Sequence, residues 1–382
     1  MEATDLNPYG GLKMNAHPTP AYYPPPESAG GWRRLTDPAQ IRALAGVDVD
    51  ALAPARQWNA RHGVASAVVI IRRGYLVAEW YENGATPQTR FNIHSCSKSF
   101  TGTAYGILFE DARRAGRAID LDTPAYVHIP AGYPLTDPRK ERITLRHLLS
   151  MSSGIRGESF GIYGVRTRPE VNPFAAALGF SPVLTRDSDE EVSVAMLAAE
   201  PGARWDYSDP AFAHLALAFR ELAGEELAAF LTRRVFRPIG LESLTWDTLG
   251  MEDGRFGQHT MPYSGVHICA RELARFGYLM ARDGTWEGQE IVAPWWIAVS
   301  TRTSQPFNPR YGLTWWVNTQ GTLWPAAPRD AFSALGYNTN MCCVIPSLDL
   351  VVARIGAGPT DSAEDITPPF IAAIVAALVD GA

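Results

Sequence analysis

Three patterns are absent from this 382-residue chain, and each absence argues against a class of protein. There is no run of Lys and Arg and no basic helix face, so a nucleic acid partner is not expected. No hydrophobic run approaches the roughly 20 residues that a membrane-spanning helix needs. The acidic start of the chain lacks the apolar segment of a signal peptide. We therefore expect a cytoplasmic protein without membrane or nucleic acid partners.

Cysteine is scarce as well, with four in the chain, and none shows C-x-x-C or Cys/His spacing. The sequence therefore indicates neither a zinc site nor a disulfide framework. Cys342 and Cys343 are adjacent on a predicted strand and are expected to be small buried hydrophobes. We predict that the protein needs no metal or organic cofactor.

Strand patterns cluster near the two ends of the chain. Residues 64–71 and 75–81 predict a hairpin, and later strands are predicted at 311–317, 331–335, 341–345 and 350–355. Helices are predicted at 145–151, 190–199, 210–223, 225–236 and 368–379. We therefore predict an α/β (α+β) fold, in which helices flank a mostly antiparallel sheet built from both ends of the chain.

The same pattern predicts the organisation of domains. Residues 1–35 are rich in Pro and Gly and are expected to form an extended arm that packs on the body. Residues 36–116 and 245–382 are assigned to the α/β domain, and residues 117–244 to an inserted, mainly helical subdomain. The active site is expected in the cleft between these two parts.

The first candidate for chemistry is Ser95-Cys96-Ser97-Lys98, where an extended segment is predicted to become a helix. Residues three apart lie on one helix face, so the Ser95 hydroxyl and the Lys98 amine are expected to meet. A serine beside an amine that takes its proton is a nucleophile. The alternative is that Ser95 only caps the helix. His94 is expected to point away from Ser95.

A second candidate follows at residues 201–209, PGARWDYSD, just before a predicted helix. Tyr207 is placed to share a proton with Ser95 and Lys98, because a nearby cation stabilises the phenolate. The alternative is a buried tyrosine with a satisfied hydroxyl. Ser208 or Asp209 is expected to cap the helix.

These segments resemble the serine β-lactamase-like hydrolases. That superfamily includes class C β-lactamases, penicillin-binding proteins and D-Ala-D-Ala peptidases, family VIII esterases and 6-aminohexanoate-dimer hydrolases. The resemblance covers residues 55–380 in the family's order, and the segments that carry it are FNIHSCSKSFTG (91–102), LDTPAYVHIP (121–130), ITLRHLLSMSSG (143–154), PGARWDYS (201–208), FRPIGL (236–241), ARELARFG (270–277) and IPSLDLVVAR (345–354). Several ordered matches are far more specific than one Ser-x-x-Lys.

The resemblance implies a role for each residue of the first two segments. Ser95 would be the acylated nucleophile, Lys98 the amine that helps to deprotonate it, and Tyr207 the general base or proton relay. Which of Lys98 and Tyr207 takes the proton stays open, since the three groups titrate as a coupled set. The oxyanion hole would consist of the Ser95 backbone N–H and one N–H from the third motif's strand.

The sequence departs from the family at two places. Asp209 stands where the family usually has Asn, so it would contact substrate, hold Lys98 charged or only cap the helix. The third motif, usually Lys-Thr-Gly or His-Gly-Gly, is Gly336-Tyr337-Asn338-Thr339-Asn340 here. We predict Tyr337, Asn338 and Thr339 as substrate contacts. The second oxyanion donor is predicted to be the Asn340 N–H.

The third motif of this chain lacks the Lys or His of the family, and this difference affects the expected charge of the substrate. Without that cation, a substrate carboxylate has no partner, unless an arginine such as Arg166, Arg168, Arg310 or Arg329 substitutes. We therefore expect a serine hydrolase that acts on a small neutral ester or amide. The alternatives, in order, are a transacylase with an amine or alcohol acceptor, a β-lactamase or D-Ala-D-Ala peptidase, and a non-enzymatic scaffold. Tyr163 and Trp315-Trp316 are candidate pocket residues, and residues 156–186 a candidate lid.

Overall fold

A six-stranded antiparallel sheet forms the centre of the molecule. The computed structural model describes residues 22–61, 64–252, 254–358 and 363–379, so the first 21 residues of the predicted arm lie outside the described residues. In the described part the strands are β1 (Ser66–Arg72), β2 (Tyr75–Glu82), β3 (Phe91–Asn92), β4 (Val183–Leu184), β5 (Glu191–Val192), β6 (Thr245–Trp246), β7 (Thr248–Gly250), β8 (Gln258–Thr260), β9 (Val266–Ile268), β10 (Thr285–Trp286), β11 (Gln289–Glu290), β12 (Trp316–Val317), β13 (Phe332–Gly336), β14 (Asn340–Ile345) and β15 (Leu350–Gly356).

The central sheet has the strand order β12-β13-β14-β15-β1-β2, so both ends of the chain contribute to it. Strands β1, β14 and β15 are buried along their whole length, and their runs of Val and Ile suit a sheet that is covered on both faces. The predicted α/β fold with a mostly antiparallel sheet flanked by helices is confirmed.

Helices cover this sheet on both faces. The helices of the described part are α1 (Pro38–Gln40), α2 (Ala53–Ala60), α3 (Ser97–Arg114), α4 (Leu145–Leu149), α5 (Pro173–Leu178), α6 (Asp209–Ala223), α7 (Leu227–Leu231), α8 (Ala270–Ala281), α9 (Pro294–Ser300), α10 (Ala363–Ile366) and α11 (Pro368–Ala376). Helix α8 packs on one face, where Gly277 lies against Cys342 and Val351. Helix α2 lies on the other face, where the buried Arg354 of β15 donates a hydrogen bond to Asn59.

Two segments differ from the sequence-based expectation. The helix predicted at 190–199 is wrong: Glu191–Val192 forms β5, which pairs with β4 in a hairpin. Val192 and Val194 recur with a period of two, which suits a strand better than a helix. The strand predicted at 311–317 is shorter in the structure: only β12 is a strand, and Tyr311 forms an isolated bridge to Trp316. The division into domains stays a prediction.

The four cysteines are buried free thiols, and Cys342 and Cys343 are buried as the sequence predicts. Burial raises the pKa of Cys342 to about 12, which keeps this thiol protonated at neutral pH. None of the helices in the described part of the chain is both long and apolar enough to span a bilayer.

Candidate active site

Ser95 lies in a single 3₁₀ turn, His94–Cys96, between β3 and the long buried helix α3. His94 enters the turn with a left-handed φ of 48°, and its N–H donates to the Asn92 side chain at 2.8 Å. Because the first N–H groups of a helix have no acceptor within it, the Ser95 N–H is suited to receive negative charge. The local fold therefore presents both the hydroxyl and the N–H of Ser95 at the start of a rigid helix.

Lys98 meets Ser95, as the helical spacing predicts. Its Nζ donates a hydrogen bond of 3.0 Å to Ser95 Oγ and one of 3.3 Å to the Tyr263 carbonyl. The same Nζ lies 2.7 Å from Asp209 Oδ1, and the Lys98 side chain is only 1% exposed. A buried ammonium requires such a set of oxygen partners, because desolvation without them is costly.

Asp209 is the first residue of α6, and its carboxylate has two partners in the protein. Oδ1 pairs with Lys98, and Oδ2 accepts the Gly164 N–H at 2.7 Å. Capping of α6 falls to Ser208, whose Oγ accepts the Ala211 N–H at 3.1 Å. Of the readings left open by the sequence, the geometry matches the one in which Asp209 balances the charge of Lys98.

Tyr207 faces Lys98 from the other side of the site. Its ring centroid is 4.5 Å from Lys98 Nζ, within the range of a cation–π contact, and the ring stacks on Trp316 at 6.2 Å. Its backbone is held by Glu158, whose N–H donates to the Tyr207 carbonyl at 2.8 Å. This approach requires Gly157, since a Cβ there would lie 2.1 Å from the Tyr207 carbonyl oxygen.

Three further ionisable groups surround these residues, and all three are neutral near pH 7. Burial raises the pKa of Tyr263 and that of Tyr311 above the usual tyrosine range. Burial lowers the pKa of His94 below its usual 6.5. Contrary to expectation, His94 lines the same pocket as Ser95, where its ring packs edge-on against Tyr337. The candidates for proton transfer with Ser95 are Lys98, which donates a hydrogen bond to Ser95 Oγ, and Tyr207, whose ring lies 4.5 Å from Lys98 Nζ.

The end of β13 lies directly against the Ser95 turn. A Cβ on Gly336 would lie 2.3 Å from the Ile93 carbonyl oxygen and 3.1 Å from the Cys96 N, so only glycine allows this approach. The backbone of Gly336 is extended, with φ −144° and ψ 161°. The strand therefore continues straight into Tyr337.

The direction of the Tyr337 N–H follows from the register of β13. The Asn318 N–H donates to the Ala331 carbonyl, so the odd-numbered residues of this strand point their backbone groups toward β12. Strand β12 ends opposite Ser333, and beyond that point the same edge of β13 opens into the pocket that Tyr337 lines. The Tyr337 N–H is therefore the second candidate oxyanion donor.

The prediction that the Asn340 N–H fills this role is wrong. Asn340 is fully buried, and its N–H closes the turn by donating to the Tyr337 carbonyl. Its side-chain Nδ2 donates to the same carbonyl at 2.6 Å and to the Asn92 carbonyl at 3.4 Å. Asn340 thus ties the Tyr337 turn to the strand that precedes Ser95, and it acts by positioning.

Asn338 and Thr339, predicted as substrate contacts, are not among the described residues that line the pocket. Thr339 is fully buried, and its Oγ1 donates to the Asn338 carbonyl. That carbonyl also accepts a hydrogen bond of 2.6 Å from Arg354. Both residues have left-handed backbones, with φ of 62° and 59°, which turns them away from the pocket. Among the described residues, only Tyr337 of this trio lines it.

The pocket above Ser95 has a volume of about 590 Å³. Trp316 and Tyr163 line it as expected, whereas Trp315 is buried against Phe276 and Phe332. Several lining residues come from the candidate lid segment or its end, namely Glu158, Tyr163, Gly164, Arg166 and Arg186. Nowhere in the described ranges do three His, Cys, Asp or Glu side chains come together as a metal site would require.

Sequence reasoning missed several residues of the pocket, among them Trp205, Tyr263 and Arg186. Arg186 Nη2 donates to the Tyr337 hydroxyl at 2.8 Å, and the Arg186 guanidinium lies over the rings of Tyr163 and Tyr337. Arg186 occupies the turn of the β4–β5 hairpin, which the sequence pattern did not predict. A hairpin signal at residues 183–192 would have been needed to find it.

Comparisons with known proteins identify the family of the chain. The Beta-lactamase family profile matches residues 49–376. The 6-aminohexanoate-dimer hydrolase of Paenarthrobacter ureafaciens is 23% identical over 343 residues, which span 82% of this chain and 78% of that protein.

Two solved structures share the fold at low sequence identity. The hydrolase EstCE1, described as having promiscuous acyltransferase activity, is 17% identical with a TM-score of 0.64, covering 86% of this chain and 97% of its own. A penicillin-binding protein homologue from Caulobacter crescentus is 16% identical with a TM-score of 0.64, covering 87% of this chain and 99% of its own. The family match spans most of the sequence, and the chain therefore belongs to the Beta-lactamase family.

Proposed function

We propose that this protein hydrolyses a small ester or amide through an acyl-enzyme intermediate on Ser95. The observation that carries the proposal is the hydrogen bond of 3.0 Å between Lys98 Nζ and Ser95 Oγ at the base of the pocket. Attack requires Lys98 as the neutral amine, or Tyr207 as the phenolate beside a charged Lys98, and either form of the pair accepts the Ser95 proton. The N–H groups at the helix start receive the charge that develops on the substrate.

The proposed reaction has two stages. Ser95 Oγ bonds to the substrate carbonyl carbon while its proton passes to the pair of Lys98 and Tyr207. The carbonyl oxygen becomes an oxyanion, which the N–H groups of Ser95 and Tyr337 receive. The bond to the alcohol or amine then breaks, and that group leaves with a proton from the same pair. Water attacks the acyl-Ser95 ester by the same steps and releases the acid.

Asp209 supports this chemistry by its position. Its carboxylate lies 2.7 Å from Lys98 Nζ and is itself held by the Gly164 N–H. The ion pair of Asp209 and Lys98 keeps Lys98 Nζ within reach of Ser95, and it offsets the cost of burying the charge of Lys98. Lys98 and Tyr207 share the proton as a coupled set, and neither is assigned as the sole base.

A second candidate function is acyl transfer to an amine or alcohol. It is favoured by the four aromatic residues that line the pocket of the nucleophile, Trp205, Tyr207, Tyr263 and Trp316, because their rings offer an apolar surface to an organic acceptor that competes with water. Its test is the product ratio from one activated ester at rising amine concentration. If the protein transfers the acyl group, the share of amide product should grow with amine concentration. If the ratio of amide to acid stays constant, hydrolysis is the only activity supported.

The proposed acyl-enzyme chemistry can be tested by covalent labelling. Incubation with a fluorophosphonate should add one label per folded molecule, because this reagent reacts with activated serines. Intact-protein mass spectrometry would measure the stoichiometry, and peptide mapping should place the label on Ser95. Heat-denatured protein and the Ser95→Ala variant serve as controls and should remain unlabelled. Folded protein that acquires no label on Ser95 would contradict the proposal.

A further inference from the structure

Arg186 differs from the other arginines near its hairpin in having no carboxylate partner. Arg166 pairs with Asp189 at 2.6 Å, and Arg168 pairs with Glu191 at 2.6 Å. Arg186 forms no ion pair with any of the described residues, and its one side-chain hydrogen bond goes to the neutral Tyr337 hydroxyl. A guanidinium without a salt-bridge partner among the described residues thus lies at the wall of the pocket, which Glu158 also lines.

Two aromatic rings hold this guanidinium in place. Its Cζ lies 5.1 Å from the ring centroid of Tyr163 and 4.8 Å from that of Tyr337. Cation–π contacts do not use the N–H donors of a guanidinium, and among the described residues only Nη2 of Arg186 donates to a side chain. The N–H groups of a guanidinium form the planar fork that binds a carboxylate through two parallel hydrogen bonds.

The position of Arg186 relates this charge to the reaction. Tyr337 contributes its backbone N–H beside Ser95 and its hydroxyl to Arg186, and all three residues line one pocket. A molecule whose carbonyl reaches Ser95 would therefore have another part of its chain near the guanidinium. The expectation of a neutral substrate depended on a missing cation, and Arg186 supplies one from a different element.

We propose that Arg186 binds a carboxylate of the substrate, and that the preferred substrates are esters or amides with a free carboxylate on a chain away from the reacting carbonyl. This inference rests on the proposed function and specifies its substrate class. Tyr163 and Tyr337 orient the guanidinium of Arg186. Arg166 has a different role: Asp189 balances its charge, and its hydrogen bond of 2.8 Å to the Thr185 carbonyl keeps the hairpin in place.

The test compares matched substrates. Mono-p-nitrophenyl esters of succinic, glutaric and adipic acid carry a carboxylate at increasing distance, and the corresponding methyl esters lack it. The wild-type protein should show at least a tenfold higher kcat/KM for one carboxylated ester than for its methyl ester, mainly through a lower KM. Added salt should reduce that preference, because Arg186 is exposed to solvent.

Variants separate recognition from a structural effect. Arg186→Gln should bring the ratio of kcat/KM values close to one, and Arg186→Lys should restore part of it. Arg168→Gln, on the neighbouring segment but outside the lining of the pocket, should keep the wild-type ratio. A wild-type ratio near one, or a ratio that survives Arg186→Gln, would overturn the inference. Turnover of the methyl esters and labelling of Ser95 would still report on the proposed function itself.

Discussion

Ser95→Ala should lower kcat for every ester or amide substrate by about 10⁴-fold or more, because no acyl-enzyme forms without the hydroxyl. Alanine keeps the Ser95 backbone N–H and the start of α3. The lost hydroxyl accepts one hydrogen bond, from Lys98, which retains Asp209 and the Tyr263 carbonyl as partners. We therefore expect the variant to fold with nearly wild-type stability.

Turnover of an activated ester, measured beside thermal unfolding, checks this expectation. Ser99→Ala is a matched control on the same helix, where the Ser99 hydroxyl donates to the Thr314 carbonyl at 2.7 Å. It should cost about 1 kcal/mol of stability, the usual net contribution of one hydrogen bond, and leave kcat within a few-fold of wild type. A Ser95→Ala protein that retains more than a tenth of the wild-type turnover would exclude Ser95 as the nucleophile.

The pairing of Ser95 with Lys98 could be predicted because it depends on local geometry alone. A spacing of three residues at a helix start brings two side chains together whatever the rest of the fold does. Lysine occurs only three times in the chain, at Lys13, Lys98 and Lys140, which makes a chance Ser-x-x-Lys less frequent. The central sheet was predictable for a similar reason, since its strands are unbroken apolar runs at both ends of the sequence.

The turn that follows β13 could not be derived in this way. Two consecutive residues, Asn338 and Thr339, are left-handed; asparagine tolerates this conformation, but a β-branched threonine rarely adopts it, so the sequence does not predict the second. Their conformation is held from outside the turn by Arg354 of β15 and by the Asn340 side chain. The choice of the second oxyanion donor depends on the conformation of this turn. The register of β13 favours the Tyr337 N–H over the Asn340 N–H that the sequence predicted.

Arg186 illustrates the same limit at longer range. Its contact with Tyr337 joins residues 151 positions apart, and it requires both the β4–β5 hairpin and the end of β13. Helical spacing and strand alternation in the sequence do not predict a contact between residues so far apart in the chain. The contact between the proposed nucleophile and Lys98 was therefore predictable from the sequence, whereas the residue proposed to select the substrate was not.

Gly336→Ala should lower kcat by about 10²- to 10³-fold, the usual cost of losing one oxyanion donor. The backbone at Gly336 has an extended φ of −144°, so alanine is not strained there and the effect is purely steric. The new Cβ would lie 2.3 Å from the Ile93 carbonyl oxygen and 3.1 Å from the Cys96 N, both backbone atoms flanking Ser95. The strand and the turn must move apart, which separates the N–H groups of Tyr337 and Ser95.

Gly277→Ala provides the matched control for this prediction. Its Cβ would be crowded by Cys342 Sγ at 2.6 Å and Val351 Cγ1 at 2.7 Å, in the core between α8 and the same sheet. Both variants should lose about 1–3 kcal/mol of stability through overpacking, measured by chemical denaturation. Only Gly336→Ala should also lose kcat and the rate of fluorophosphonate labelling per folded molecule. Alanine at position 336 changes the spacing between the Tyr337 N–H and Ser95. If both variants lose kcat equally, or if Gly336→Ala loses none, the Tyr337 N–H is not an oxyanion donor.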